Sequence, residues 1–130
     1  FKGLKKILDR DGIVFTGGLK YRPNQTSDGT SAQITFELKG DFINITNVSG
    51  LYNKNPLTHK DAKLIREISW KDFDKIASKL KFHPGQHFVL DQSASKIIMK
   101  ERIKAYIIGN LSDLDKILSG KKFNGTKIES

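Results

Sequence analysis

The stretch DFINITNVSGLYNKNP, residues 41 to 56, joins an apolar run to a polar loop that ends at a proline. Phe42, Ile43 and Ile45 predict a buried strand, which opens into a loop rich in Asn, Thr, Ser and Gly. In α/β proteins, small ligands bind just outside the carboxyl ends of the strands. The stretch therefore predicts a strand that leads into a nucleotide-binding loop. A plain polar turn with one packed Tyr is the alternative interpretation.

The segments before this stretch predict two helices and one strand. Residues 1–10 have the spacing of a short amphipathic helix, and Ile13-Val14-Phe15 predicts a buried strand. A helix is predicted at residues 29–39, after the capping cluster Thr26-Ser27-Asp28. Ile34, Phe36 and Leu38 alternate as in a strand, so the helix prediction there depends on the capping cluster.

The segments after it continue the alternation of strands and helices. The predicted elements are a short strand within residues 63–69, helices at 70–80, 92–102 and 113–118 capped by Ser69, Asp91 and Ser112, a buried strand at 105–108 and an edge strand at 126–129. Such alternation is typical of a mostly parallel sheet with helices on both faces. The predicted fold class is α/β with three layers, and residues 1–130 form a single α/β unit.

The composition excludes several classes of protein. Hydrophobic residues make up 37% of the chain and charged residues 28%, which argues against disorder. There is no cysteine, so disulfide scaffolds, thiol catalysis and Cys-ligated zinc are excluded, and a cytoplasmic location is expected. No apolar run approaches the roughly 20 residues of a membrane helix, so no membrane partner is expected.

The chain is basic, with a formal net charge of +9. A surplus of this size suits a polyanionic partner, either nucleic acid or a phosphorylated small molecule. The lysines are scattered and arginine occurs only at positions 10, 22, 66 and 102, whereas nucleic-acid readers usually cluster arginines. A lysine-rich solvated surface is therefore the simpler explanation of this charge, and binding of a phosphorylated small molecule or of nucleic acid stays an alternative.

The chain begins at Phe1, and its only methionine is Met99. We therefore expect a processed chain or a fragment of a longer protein.

Several short motifs resemble those of one family. Residues 46–56 resemble the T-x-V-D-G-V-Y-x-x-D-P loop of the amino-acid kinase fold, and Gly17-Gly18 with Thr26-Ser27-Asp28 resembles its G-G loop and helix start. The resemblance continues through residues 89–91, 95–98, 103–109 and 124–128. Because the motifs follow one another in the family's order, the chain resembles the C-terminal part of the archaeal type of uridylate (UMP) kinase.

The resemblance implies an enzyme that moves a phosphoryl group from ATP to UMP with Mg²⁺, working as a homo-oligomer that is a hexamer in the family. Gly17 and Gly18 would bring backbone amides to the UMP phosphate, and Thr26 and Ser27 would contact the nucleotide from the helix start. Asp28 would be the catalytic carboxylate that positions lysines around the transferring phosphoryl group. From the residues alone, Asp28 is equally well explained as a helix N-cap.

The resemblance also implies an ATP site in the central loop. Tyr52 would lie beside the adenine or ribose, and Gly50 would allow close approach of the backbone. Ser49 and Asn55 stand where the family has acidic residues; they can form hydrogen bonds but supply no charge. The implied ATP-site residues are Thr46, Asn47, Ser49, Gly50, Tyr52, Asn55 and Pro56.

Two other functions fit the same residues. One is a kinase of this fold with another acceptor, such as a carboxylate or a small phosphorylated metabolite. The other is a nucleotide-binding or storage module without catalysis, which the neutral Ser49 and Asn55 favour.

Overall fold

The computed structural model describes residues 1–17, 23, 26–79 and 89–130. The predictions for Gly18 and for residues 80–88 lie outside these ranges. The described elements, in chain order, are α1 (Lys2–Asp11), α2 (Ser27–Leu38), β1 (Phe42–Ile45), β2 (Glu67–Ile68), α3 (Trp70–Lys79), α4 (Gln92–Lys100), β3 (Ala105–Ile108), α5 (Leu111–Leu118) and β4 (Gly125–Ile128). None of these helices combines the length and the apolar character that spanning a bilayer requires.

The four strands form one sheet in the order β1-β3-β4-β2. β1 pairs with β3 and β2 with β4 in parallel, while β3 and β4 are antiparallel. The predicted α/β fold with a mostly parallel sheet is therefore confirmed. The prediction of a terminal edge strand is wrong, because β4 lies between β3 and β2. Thr126 and Ile128 are fully buried there, and strand pairing uses both sides of the β4 backbone.

The strand predicted at Ile13-Val14-Phe15 is absent. Ile13 is 74% exposed and Phe15 is 96% exposed, and no described strand pairs with this segment. A β-strand needs a hydrogen-bonded neighbour for its backbone groups, and an apolar run without one has no reason to become a strand.

The predicted capped helices form. Thr26 is the N-cap of α2, and its Oγ1 accepts a hydrogen bond from the Gly29 N–H at 3.0 Å. Asp91 caps α4 by accepting from the Ala94 N–H at 2.8 Å. The cap and the packing of α2 against α4 outweigh the strand-like alternation within α2.

The cap of α5 is Asn110 and not the predicted Ser112. The Asn110 Oδ1 accepts from the Asp113 N–H at 2.9 Å, so the helix begins at Leu111 and Ser112 already lies in its first turn. Asn and Ser are equally good N-caps, and the sequence pattern does not choose between two of them that are two residues apart.

The main core lies between the sheet and the helices α2, α3 and α4. In β3, Ala105 and Ile107 belong to this core, while Tyr106 and Ile108 alternate to the opposite face and are also buried. Phe123 packs edge-on against Tyr106, with ring centroids 5.6 Å apart. Both faces of β3 are therefore covered, as a three-layer arrangement requires.

Asp113 is a buried carboxylate that connects α5 to the start of β4. Its Oδ1 accepts from the Asn124 N–H at 3.0 Å and from the Lys116 Nζ at 2.9 Å. The hydrogen bond from the Asn124 backbone, followed by the one from Lys116, lowers the pKa of Asp113 below its ordinary value.

We expect Asp113→Ala to destabilise the fold in a pH-dependent way. Because the folded-state pKa is lowered, the ionised carboxylate stabilises the fold above the unfolded-state value of about 3.9, and that contribution is lost as the pH falls through the folded-state pKa. Urea unfolding of the intact protein at pH 7 and at pH 3 measures the difference. Asp115→Ala, an exposed acidic position on the same helix, is the control; a loss from Asp113→Ala that is equal at both pH values would contradict the role of the charge.

Candidate functional site

Two helix starts and two strand ends share one edge of the sheet. α2 connects to β1 through the three residues 39–41 and packs against it, so the helix runs back along the strand. The start of α2 therefore lies at the edge where β1 ends. α4 precedes β3 in the same way, and β3 is parallel to β1. The predicted site residues in 26–28 and 46–56 are thus brought to the same edge.

The starts of α2 and α4 are in direct contact. A Cβ at Gly29 would lie 2.6 Å from the Ser93 Oγ, so any side chain larger than that of glycine would force Ser93 to shift. The backbone N–H of Asp91 donates a hydrogen bond to the Asp28 carboxylate. Two carboxylates, Asp28 and Asp91, therefore lie next to each other where the positive ends of two helix dipoles meet.

The explanation of Asp28 as an N-cap is wrong, because Thr26 is the cap of α2. Asp28 is half-buried in the first turn and faces Asp91. Burial of its carboxyl and, secondly, the charge of Asp91 raise the pKa of Asp28, and the hydrogen bond from the Asp91 backbone opposes this rise. A carboxylate in this setting gains from a nearby cation, because a cation offsets both the burial and the repulsion.

The central loop leaves β1 along the end of β3. The Thr46 N–H donates to the Ile108 carbonyl at 2.9 Å, which extends the strand pairing by one residue. The Thr46 hydroxyl lies 3.3 Å from the Asn47 Oδ1, and Asn47 is exposed. Beyond it, the backbone of Val48 and Ser49 packs so closely on Gly109 that a Cβ there would lie 3.1 Å from the Val48 carbonyl oxygen.

Gly50 is buried where the loop passes β4. A Cβ at this position would lie 2.6 Å from the Thr126 Oγ1 and 2.9 Å from the Leu64 Cδ1. The close approach that the sequence predicted at Gly50 is therefore an approach to β4. Its proposed contact with ATP stays a prediction.

The far part of the loop is held by its own polar groups. Tyr52 is half-buried and pairs with Leu64 in an isolated antiparallel bridge. The Asn55 Oδ1 accepts from the Leu57 N–H at 3.0 Å, which closes an Asx turn around Pro56. In this part of the loop the alternative of a polar turn describes the local structure correctly, and Tyr52 is its one half-buried aromatic.

The remaining predicted site residues are at or beyond the limits of the described ranges. Ser27 is exposed at the start of α2, and Gly17 is exposed and belongs to no helix or strand. Gly18 lies outside the described residues. The predicted UMP contacts of Gly17, Gly18, Thr26 and Ser27 therefore stay predictions.

Three residues of this edge were missed by the sequence analysis as site residues. Asp91 was predicted as a helix cap and Thr126 as part of a strand, and neither was predicted as a site residue. Asn44, within β1, donates from its Nδ2 to the Val89 carbonyl at 2.6 Å and so holds the segment before α4 against β1. An amide inside an apolar strand was the one available signal for Asn44, because buried polar groups need partners.

The described residues contain no group of three His, Cys, Asp or Glu side chains that would enclose a metal ion. The pair Asp28 and Asp91 does suit Mg²⁺ that is brought by a nucleotide, since this ion is usually held by one or two carboxylates together with substrate phosphates and water.

Polar groups gathered at the carboxyl edge of parallel strands, beside helix starts, lie where open α/β proteins bind their ligands. The sequence profile described as "Amino acid kinase family" matches residues 2–109. This match covers most of the chain, and the chain belongs to the amino acid kinase family.

Named relatives agree with this assignment. A uridylate kinase from Methanococcus aeolicus is 33% identical over 121 residues, which cover 92% of this chain and 53% of the relative. One from Methanopyrus kandleri is 30% identical and is covered to 56%. The chain spans about half the length of the curated relatives it matches.

Solved structures have the same fold. The uridylate kinase of Archaeoglobus fulgidus superposes with a TM-score of 0.68 at 33% identity, covering 82% of this chain and 48% of that chain.

Proposed function

We propose that the protein containing this chain is a nucleoside monophosphate kinase that transfers the γ-phosphate of ATP to UMP and so forms UDP. The observation that carries the proposal is the shared edge, where the Asp28 turn of α2 lies at the same end of the sheet as the loop that follows β1. Relatives named uridylate kinase match 92% and 95% of the chain at 33% and 30% identity, which supports UMP as the acceptor.

In this proposal, residues 46–56 hold ATP. The loop is anchored to β3 at Thr46 and to β4 at Leu51, so its polar groups have fixed positions. Tyr52, which is half-buried, offers a ring face to the adenine or ribose. Ser49 and Asn55 provide hydrogen bonds without charge, so ATP affinity depends on the phosphate contacts more than on these two side chains.

The start of α2 acts on the phosphates. Its free N–H groups and dipole attract an anion, and Thr26 and Ser27 face the acceptor phosphate. Asp28 orients the cationic groups around the transferring phosphoryl group. Asp28 and Asp91 together would hold Mg²⁺, which neutralises charge on the ATP phosphates when bound.

Alignment and charge stabilisation account for most of the catalysis in such a reaction. The residues of this chain fix two substrates against one sheet edge, which holds the attacking phosphate oxygen in line with the bond that breaks. The phosphoryl group passes directly from ATP to UMP, without a covalent intermediate on the protein.

An acceptor screen tests the proposal. We expect the intact natural protein to release ADP from Mg-ATP in a coupled assay when UMP is present, and to do so much more slowly with other nucleoside monophosphates, carboxylates or small phosphate esters. Turnover only with one of these other acceptors would replace UMP in the proposal. Nucleotide binding in calorimetry without any turnover would support a storage or binding module instead.

We expect Tyr52→Ala to raise the KM for ATP by about tenfold, since a ring that stacks on a base contributes about 1–3 kcal/mol. The KM for UMP should not change, because Tyr52 belongs to the donor side. Tyr52→Phe keeps the ring and is the matched control. A similar rise in both KM values would show that Tyr52 supports the whole site and not the donor alone.

A further inference from the structure

Thr126 is a fully buried threonine whose hydroxyl connects two backbone segments from distant parts of the chain. Its Oγ1 accepts a hydrogen bond from the Leu51 N–H at 2.8 Å and donates one to the Ile65 carbonyl at 2.6 Å. Both hydrogen-bonding roles of the hydroxyl are therefore used within the protein, and Thr126 has no contact with solvent.

The hydroxyl replaces one hydrogen bond of a strand-like pair. The Ile65 N–H donates directly to the Leu51 carbonyl at 2.8 Å. In a regular antiparallel pair the Leu51 N–H would donate to the Ile65 carbonyl in return. Here the Thr126 hydroxyl lies between these two groups and forms a hydrogen bond with each of them, in place of the direct hydrogen bond.

This insertion sets the direction in which the central loop continues. The next residue, Tyr52, forms its bridge with Leu64 immediately beyond the inserted hydroxyl. Gly50, on the other side of Leu51, has no room for a side chain because the same hydroxyl lies 2.6 Å from the Cβ position. Thr126 thus contacts the loop at Leu51, between Gly50 and Tyr52, two of the residues proposed to bind the donor.

We infer that Thr126 is a positioning residue for the phosphoryl donor: its hydroxyl holds residues 50–52 in the geometry that binds ATP. The inference depends on the proposed function, because it assumes that this loop holds the donor. It adds a residue of β4 that is 75 positions away from Leu51 in the sequence and does not touch the nucleotide itself.

Thr126→Val in the intact protein tests the inference, since valine keeps the shape and removes the hydroxyl. We expect the KM for ATP to rise by about tenfold, because the Leu51 N–H and the Ile65 carbonyl lose their partner and the loop shifts to satisfy them. The KM for UMP and kcat should stay near the wild-type values. Hydrogen exchange of the Leu51 amide should become faster, a readout that does not require activity.

Two controls separate positioning from general stability. Thr126→Ser keeps the hydroxyl and should keep the wild-type KM for ATP. Ile128→Val removes one methyl group from the same buried strand and leaves the hydroxyl of Thr126 in place, and it should leave both KM values unchanged. If Thr126→Val does not fold, Thr126→Ala takes its place, because the smaller side chain lets water reach the two freed backbone groups.

The outcomes distinguish this inference from the proposed function. A wild-type protein that turns over ATP and UMP, with the KM for ATP unchanged in Thr126→Val, overturns the positioning role alone. Equal changes in both KM values, or a loss of kcat alone, also overturn it. A wild-type protein that binds ATP without turnover overturns the proposed reaction alone. The positioning role of Thr126 is then tested by the dissociation constant for ATP in place of KM. A wild-type protein that binds no nucleotide overturns both.

Discussion

Asp28→Asn should lower kcat of the intact protein for ATP and UMP by about two to three orders of magnitude, the size of effect that follows the loss of one preorganised charge contact in an active site. The side chain of asparagine has almost the same shape and still accepts the hydrogen bond from the Asp91 backbone. What it lacks is the negative charge that, in the proposed function, orients cationic groups around the phosphoryl group. The loss should therefore fall on kcat more than on either KM.

The same substitution should leave the fold at least as stable as the wild type. Burial and the charge of Asp91 raise the pKa of Asp28, so the folded state disfavours the ionised carboxylate. The contribution of this carboxyl to the free energy of unfolding therefore decreases as the pH rises from the unfolded-state pKa through the higher folded-state pKa. Asparagine does not ionise, so thermal unfolding at neutral pH should show no decrease in melting temperature.

Asp72→Asn is the matched control for this combination of results. Asp72 lies in the first turn of α3, and the hydrogen bond from Lys75 lowers its pKa, so its charge stabilises the fold. Asp72→Asn should reduce stability slightly and leave kcat unchanged. An Asp28→Asn protein that unfolds more easily but keeps its kcat would assign Asp28 to structure and contradict its catalytic role.

The largest effect on stability is expected at Phe73. This side chain is completely buried in α3, and Trp70 and Ile76 of the same helix pack against the same core. Phe73→Ala removes a ring from a packed interior and leaves a cavity, which costs about 3–5 kcal/mol of the free energy of unfolding. Urea unfolding of the intact protein measures this loss.

Lys75→Ala, an exposed position on the same helix, is the control for Phe73→Ala. Its ion pair with Asp72 is exposed on both sides, so the change should stay within about 1 kcal/mol. A loss of similar size at both positions would mean that α3 responds to any substitution, and that the buried ring has no special part in the core.

Local signals predicted the helices and the strands β1 and β3. α2 and α4 begin at Thr26 and Asp91 because each side chain caps a free backbone N–H within three residues of itself. The apolar run before the central loop became β1, and AYII became the buried β3. Each of these features depends on neighbours in sequence, which is why pattern and capping rules identify them.

Features that depend on distant partners were not predictable in this way. Ile13-Val14-Phe15 has the composition of a strand, but strand formation depends on a neighbouring strand that composition does not specify. The central position of β4 depends on its pairing with β2, about 60 residues earlier in the chain. The contact of Asp28 with Asp91 and that of Leu51 with Thr126 likewise join residues that are far apart in sequence.

The central claim is that donor and acceptor bind where the start of α2 meets the loop after β1. Hydrogen exchange of the intact protein, with and without Mg-ATP and UMP, tests this claim most directly. We expect slower exchange of backbone amides at residues 26–30 and 46–56 when both nucleotides are present, and unchanged exchange in α5. Protection confined to other parts of the chain, or no protection at saturating nucleotide, would contradict the site described here.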